Sequence, residues 1–173
     1  MELPGSTYLY TIATLSITYA GFAALIVIFR QIIGGGVPSY DIFVIRSVLM
    51  RSFIIAFSAL VPPALALFDL SQSAIWRISS LCAAIPLGVF TLTFQARRSA
   101  VTDLPISKWA AVNMGSQALI TIFLVMMALE IFIKPAAGPF VIAITASLLV
   151  AANAYLAQIE IMLRGPLEKK KRK

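Results

Sequence analysis

The sequence predicts an all-α integral membrane protein, a bundle of about five transmembrane helices with its N-terminus outside and its C-terminus in the cytoplasm. Three observations lead there. Sixty per cent of the 173 residues are hydrophobic and 12% are charged, for a mean hydropathy of +0.94. A soluble domain carries about a quarter charged residues, so this surface must face something other than water. Apolar segments recur at the length of about 20 residues that crosses roughly 30 Å of hydrocarbon. The basic residues then alternate in step with the crossings. With five helices, Arg30, Arg46, Arg51, Arg97, Arg98, Lys108, Arg164, Lys169, Lys170, Lys171, Arg172 and Lys173 fall on one side, against Arg77 and Lys134 on the other. The positive-inside rule places the rich side in the cytoplasm. A count of four or six would break that alternation.

Residues 8–29 form the first expected helix. The preceding "MELPGS" has an acid and no basic region, so this segment is expected to stay as a helix and not to be cleaved. Within "STYLYTIATLSITYAG", Thr7, Thr11, Thr14 and Thr18 recur at i, i+4, i+7 and i+11, with Gly21 at i+14, all on one face. Two readings stand side by side: Thr11, Thr14 and Thr18 line a polar vestibule descending from outside, or the stripe is a close helix contact ending at Gly21.

The second helix, 42–68, is apolar from Phe53 to Phe68 and extends backwards through "YDIFVIRSVLMRS", where Arg46 and Arg51 are expected to snorkel to the headgroups. Ser39 suits its cap and Asp41 its first turn. Pro62 and Pro63 free the carbonyls of Ser58 and Ala59, and Pro86 in the third helix, 76–96, frees that of Cys82. Such carbonyls need a neighbour, a hydroxyl or water. Ser58, Pro62 and Pro86 are therefore candidates for a kinked, cavity-lining region, with an ordinary packing kink as the alternative.

In the fourth helix, 107–133, Asn113, Gln117 and Thr121 share a face at i, i+4 and i+8. In the fifth, 139–163, Asn153 lies at a comparable depth, so Gln117 and Asn153 are expected to meet near mid-membrane. Glu130 and Glu160 sit near helix ends and are expected to pair with Lys134 and Arg164. The tail 164–173 carries Lys169, Lys170, Lys171, Arg172 and Lys173 beside a membrane helix. It is expected to fix orientation and bind anionic lipid, not nucleic acid.

Catalytic signatures are missing. The chain has no histidine, a single cysteine (Cys82) and no HExxH, GxSxG or Walker A pattern, and "IIGGGVPSYD" lacks the GK[ST] of a phosphate loop. No metal or cofactor is expected, and the lack of a mid-depth carboxylate speaks against a proton relay. The leading expectation is a small, non-enzymatic channel or transport protein, homo-oligomeric, in a bacterial inner membrane. A non-catalytic accessory subunit packed against a larger membrane complex is the alternative, suggested by small residues along helices 1 and 5. A lipid-handling enzyme or carrier rests only on the basic face.

Overall fold

A computed structural model describes residues 3–32, 39–103 and 105–171, and of residues 30, 31 and 157–171 the backbone alone. The regular structure is helical throughout the described residues: α1 Ser6–Ile32, α2 Ser39–Leu65, α3 Gln72–Ser99, α4 Lys108–Ala128 and α5 Ala137–Lys171. All five are long and apolar enough to cross a membrane.

The helix ends follow local chemistry. Ser71 and Ser107, both extended, accept the backbone N–H groups of Ala74 and Ala110 at 3.3 and 3.1 Å, satisfying donors that open a helix. Pro62 and Pro63 lie near the end of α2, which continues only to Leu65. Helix α4 stops at Ala128, short of the expected 133, because Glu130 (φ 58°) and Phe132 (φ 63°) turn into the left-handed region. Arg77 of α3 closes that end. Its Nε donates to the Ala128 carbonyl at 3.3 Å, and its Nη1 lies 3.3 Å from Glu130 Oε1. Glu130 thus pairs across helices with Arg77, in place of the expected i+4 partner Lys134.

Helices α2, α3, α4 and α5 form a ring of neighbours, each packed on the next, with α5 returning to α2. Helix α1 lies outside this ring against α2 and α5 and does not reach α3 or α4. The two ends of the ring differ. One, here the basic end, holds the start of α2, the end of α3 and the start of α4; the other holds the α2–α3 and α4–α5 turns.

Burial runs opposite to that of a soluble domain. Leu15, Phe22, Phe53, Phe57, Ile85, Leu92, Leu119 and Ile142 are exposed, while Ser16, Ser52, Ser58, Ser79, Ser80, Gln117 and Ser147 are wholly buried. The apolar part of the interior fills the half of the ring away from the basic end. There Ile55, Leu87, Leu124, Met127, Phe140 and Ile144 are fully enclosed, and the Trp76 and Phe140 rings meet in a tilted contact at 5.6 Å. Close approach of α3 to α4 falls at Gly88, where a Cβ would meet Thr121 Cγ2 at 3.4 Å. At Gly21, where the stripe on α1 suggests a close contact, nothing lies within 4 Å.

Candidate functional site

Helix α2 enters at Ser39 and carries Arg51 twelve residues in, about 18 Å along its axis at 1.5 Å per residue. That is too deep for the guanidinium to return to the end of its own helix. Arg51 turns inward and is 3% exposed. Its Nη2 donates to Oε1 of Gln117 on α4. Because α2 and α4 are diagonal in the ring and their backbones do not touch, this long side chain spans the core. Snorkelling of Arg51 to the surface is therefore corrected: its partner is an amide in the interior.

Gln117 is wholly buried, and its Oε1 also accepts from Ser147 Oγ of α5 at 3.0 Å. Arg51, Gln117 and Ser147 thus join three helices through one amide oxygen. The expected meeting of Gln117 with Asn153 does not occur. From Ser147 onwards the buried positions described on α5 are Ser147, Ala151 and Tyr155, and Asn153 lies two residues from the latter two. At about 100° per residue that turns Asn153 roughly 200° away, to the outside, where it is exposed. Tyr155 instead packs edge-on against Tyr19 of α1 at 4.8 Å, and Tyr19 donates its hydroxyl to the Ala152 carbonyl at 2.9 Å.

Between this cluster and the basic end lies a cavity of about 120 Å³. Arg51 forms part of its wall, as do Ser47 and Asn113, whose Nδ2 donates to the Trp109 carbonyl at 3.2 Å. The rest is largely apolar and aromatic: Phe43, Val48, Phe90, Phe94, Trp109 and Met114, with Ala151 and Ala154 from α5. Tyr40 and Ser107, both exposed at helix starts, border it at the basic end. On the far side of Arg51 the filled core described above separates the cavity from the opposite end.

The threonines of α1 lie elsewhere. Thr11, Thr14 and Thr18 are exposed on the outside of the bundle, each donating to the carbonyl four residues earlier at 3.0, 2.9 and 2.9 Å. Leu9, Ile12, Ala13, Ser16, Ala20 and Ala23 form the inward face of α1. Among the described residues the stripe therefore neither lines a vestibule nor packs on a neighbouring helix. Hydroxyls bonded to their own helix contribute nothing across it. Replacing all three together by valine is expected to leave unfolding of the single chain unchanged within about 0.5 kcal/mol, measured by denaturation in detergent.

Ser58 donates to the Ile54 carbonyl at 2.7 Å, Pro62 is fully enclosed in the core and Pro86 is half-buried, none of them at the cavity. Lys169, Lys170 and Lys171 fall in the backbone of α5, their side chains outside the described residues, as are Arg172 and Lys173 altogether. The groups that sequence reasoning missed are Arg51 as an interior group and Ser147 as its second-hand partner. Among the described residues no cluster of acids, cysteine or histidine suits a metal.

Comparison with family models, with curated proteins and with solved structures yields no match.

Proposed function

We propose that this chain is a polytopic membrane transport protein, a carrier whose solute site is the cavity ending at Arg51. The observation that carries the reading is a charged side chain, almost wholly buried, at the end of an open-sided cavity within five membrane-length helices. Ionisable groups at such depth are costly and mark solute or ion pathways. The filled core beyond it favours a carrier over an open pore through one chain. The positive-inside bias orients the cavity towards the cytoplasm, with the N-terminus outside, in a bacterial inner membrane. The basic tail adds contact with anionic lipid.

A second reading has its own support. The outward face of α1, with Thr11, Thr14, Thr18 and Gly21 and no neighbour among the described residues, suits contact with a second copy or with another membrane subunit. The valine triple variant tests this. If that face is an interface, the variant shifts the oligomeric state in native-like membranes while the single chain keeps its stability.

Flux decides the main reading. Purified protein in liposomes is expected to admit at least one of benzoate, phosphate or glycerol above protein-free vesicles, and Arg51→Met is expected to abolish that flux. No flux of any of the three, together with co-purification of a second chain at fixed stoichiometry, overturns the carrier in favour of an accessory subunit.

A further inference from the structure

We propose that the cavity takes an amphipathic oxyanion, with its carboxylate or phosphate group against Arg51 and its apolar body between the aromatic walls. The inference rests on reading this cavity as the solute site, and names what the site selects.

The hydrogen-bond inventory points to the charge. Arginine only donates, so the Gln117 atom facing Arg51 must be the amide oxygen, which also takes the Ser147 hydroxyl. Two donors use both lone pairs of that oxygen. Among the described residues the Gln117 Nε2 then has no acceptor, nor does Arg51 Nε, and both are buried. Both orphaned nitrogens are donors. What the Arg51–Gln117 pair lacks is an acceptor, which an oxyanion supplies together with its charge and a cation does not.

The charge inventory agrees. No carboxylate whose side chain is described pairs with Arg51. Asp41 on the same helix is ten residues away, about 15 Å along the axis. A buried cation without a counter-charge is strongly unfavourable, and arginine's fork matches carboxylate and phosphate oxygens. An anion arriving through the cavity would supply the missing charge.

The walls specify the remainder. Phe43, Phe90, Phe94 and Trp109 leave few polar atoms for a sugar or an amino group to meet. A cavity of about 120 Å³ is close to the roughly 150 Å³ void that admits benzene in an engineered lysozyme core. A body about as large as one ring fits inside, and a longer chain must leave past Tyr40 and Ser107.

The test uses the protein in detergent, reading the fluorescence of its two tryptophans, of which Trp109 lines the cavity, and thermal unfolding during titration with octanoate, octanol or inorganic phosphate. Octanoate is expected to bind saturably and raise the unfolding temperature, as any ligand selective for the folded state does. Octanol, with the same tail and no charge, should not, and phosphate alone should bind more weakly. Arg51→Met should weaken octanoate binding by about tenfold or more, the loss of one charge-assisted bond. Ala154→Phe, which fills the cavity without touching Arg51, should do the same. Equal responses to octanoate and octanol, or phosphate binding as tightly as octanoate, would overturn the proposal, as would unimpaired octanoate binding in both variants. Where neither variant folds, the contrast among the three ligands on the unmodified chain still decides. Octanoate binding without flux removes the carrier and leaves this site standing. Flux of phosphate or glycerol without octanoate binding removes this site alone.

Discussion

Replacing Gln117 by leucine is expected to lower the unfolding free energy by about 2–4 kcal/mol. The estimate combines roughly 1.5–3 kcal/mol for a hydrogen bond to a charged group with about 0.6 kcal/mol for an ordinary interhelical polar bond. Both donors that converge on Oε1 lose their acceptor together: Arg51 Nη2 and Ser147 Oγ. The serine can turn back to a carbonyl of its own helix, but Arg51, 3% exposed, is left as a buried charge without its amide partner. The partner substitution behaves differently. Arg51→Met removes the charge along with its need for a partner, and is expected to be neutral or stabilising, because uncharged packing often matches or exceeds a buried ionic arrangement. In the Arg51→Met background, Gln117→Leu should then cost far less than alone. Unfolding in detergent titrated with dodecyl sulfate, followed by tryptophan fluorescence, yields all four corners of the cycle. Equal costs of Gln117→Leu in both backgrounds would show that the two side chains are not coupled.

Such an asymmetry is expected of the proposed binding site, where function is maintained at the expense of stability. The same proposal accommodates the divided character of the ring. From Arg51 towards the α2–α3 turn the interior is filled with Ile55, Leu87, Leu124 and Phe140, and in the other direction it opens between aromatic side chains.

The five helices were legible because hydropathy and length act locally, and each segment carries its own signal. The polar faces of α4 were legible for the same reason: Asn113 and Gln117 do both turn inward. What failed depends on how helices are rotated against one another. The threonine stripe of α1 is regular, but threonine bonds its own backbone and so is tolerated on the outside. The buried face of α1 is the adjoining row of Leu9, Ile12, Ala13 and Ser16. Asn153 failed likewise, since the residue that α5 offers to Gln117 is Ser147, a weaker sequence signal. Arg51 is the instructive case. Once α2 is extended back to 42 to reach membrane length, Arg51 is already about 14 Å from its start, beyond easy snorkelling. Depth alone could have marked it as interior; the choice of Gln117 as its partner required the diagonal placement of α2 and α4.

Phe140→Ala is expected to destabilise the bundle by about 3 kcal/mol, the low end of the range for truncating a buried aromatic. In water that range includes the transfer of the ring out of solvent. In a bilayer the separated helices leave the ring in lipid, so transfer contributes little, and packing and dispersion remain. Those terms are large at this position. Phe140 is fully enclosed, and its ring meets that of Trp76 at 5.6 Å, an aromatic contact that contributes about 0.5–1.5 kcal/mol beyond area. Phe57→Ala provides the control. Its ring is 58% exposed on the outside of α2, where lipid replaces whatever is removed, so its cost should stay within about 0.5 kcal/mol. Both are measured in the same dodecyl sulfate titration, with Phe140→Leu expected to fall between them. If Phe140→Ala cost no more than Phe57→Ala, the core beyond Arg51 would be loosely packed. The proposal of a carrier, which relies on that core as a barrier, would then lose its support.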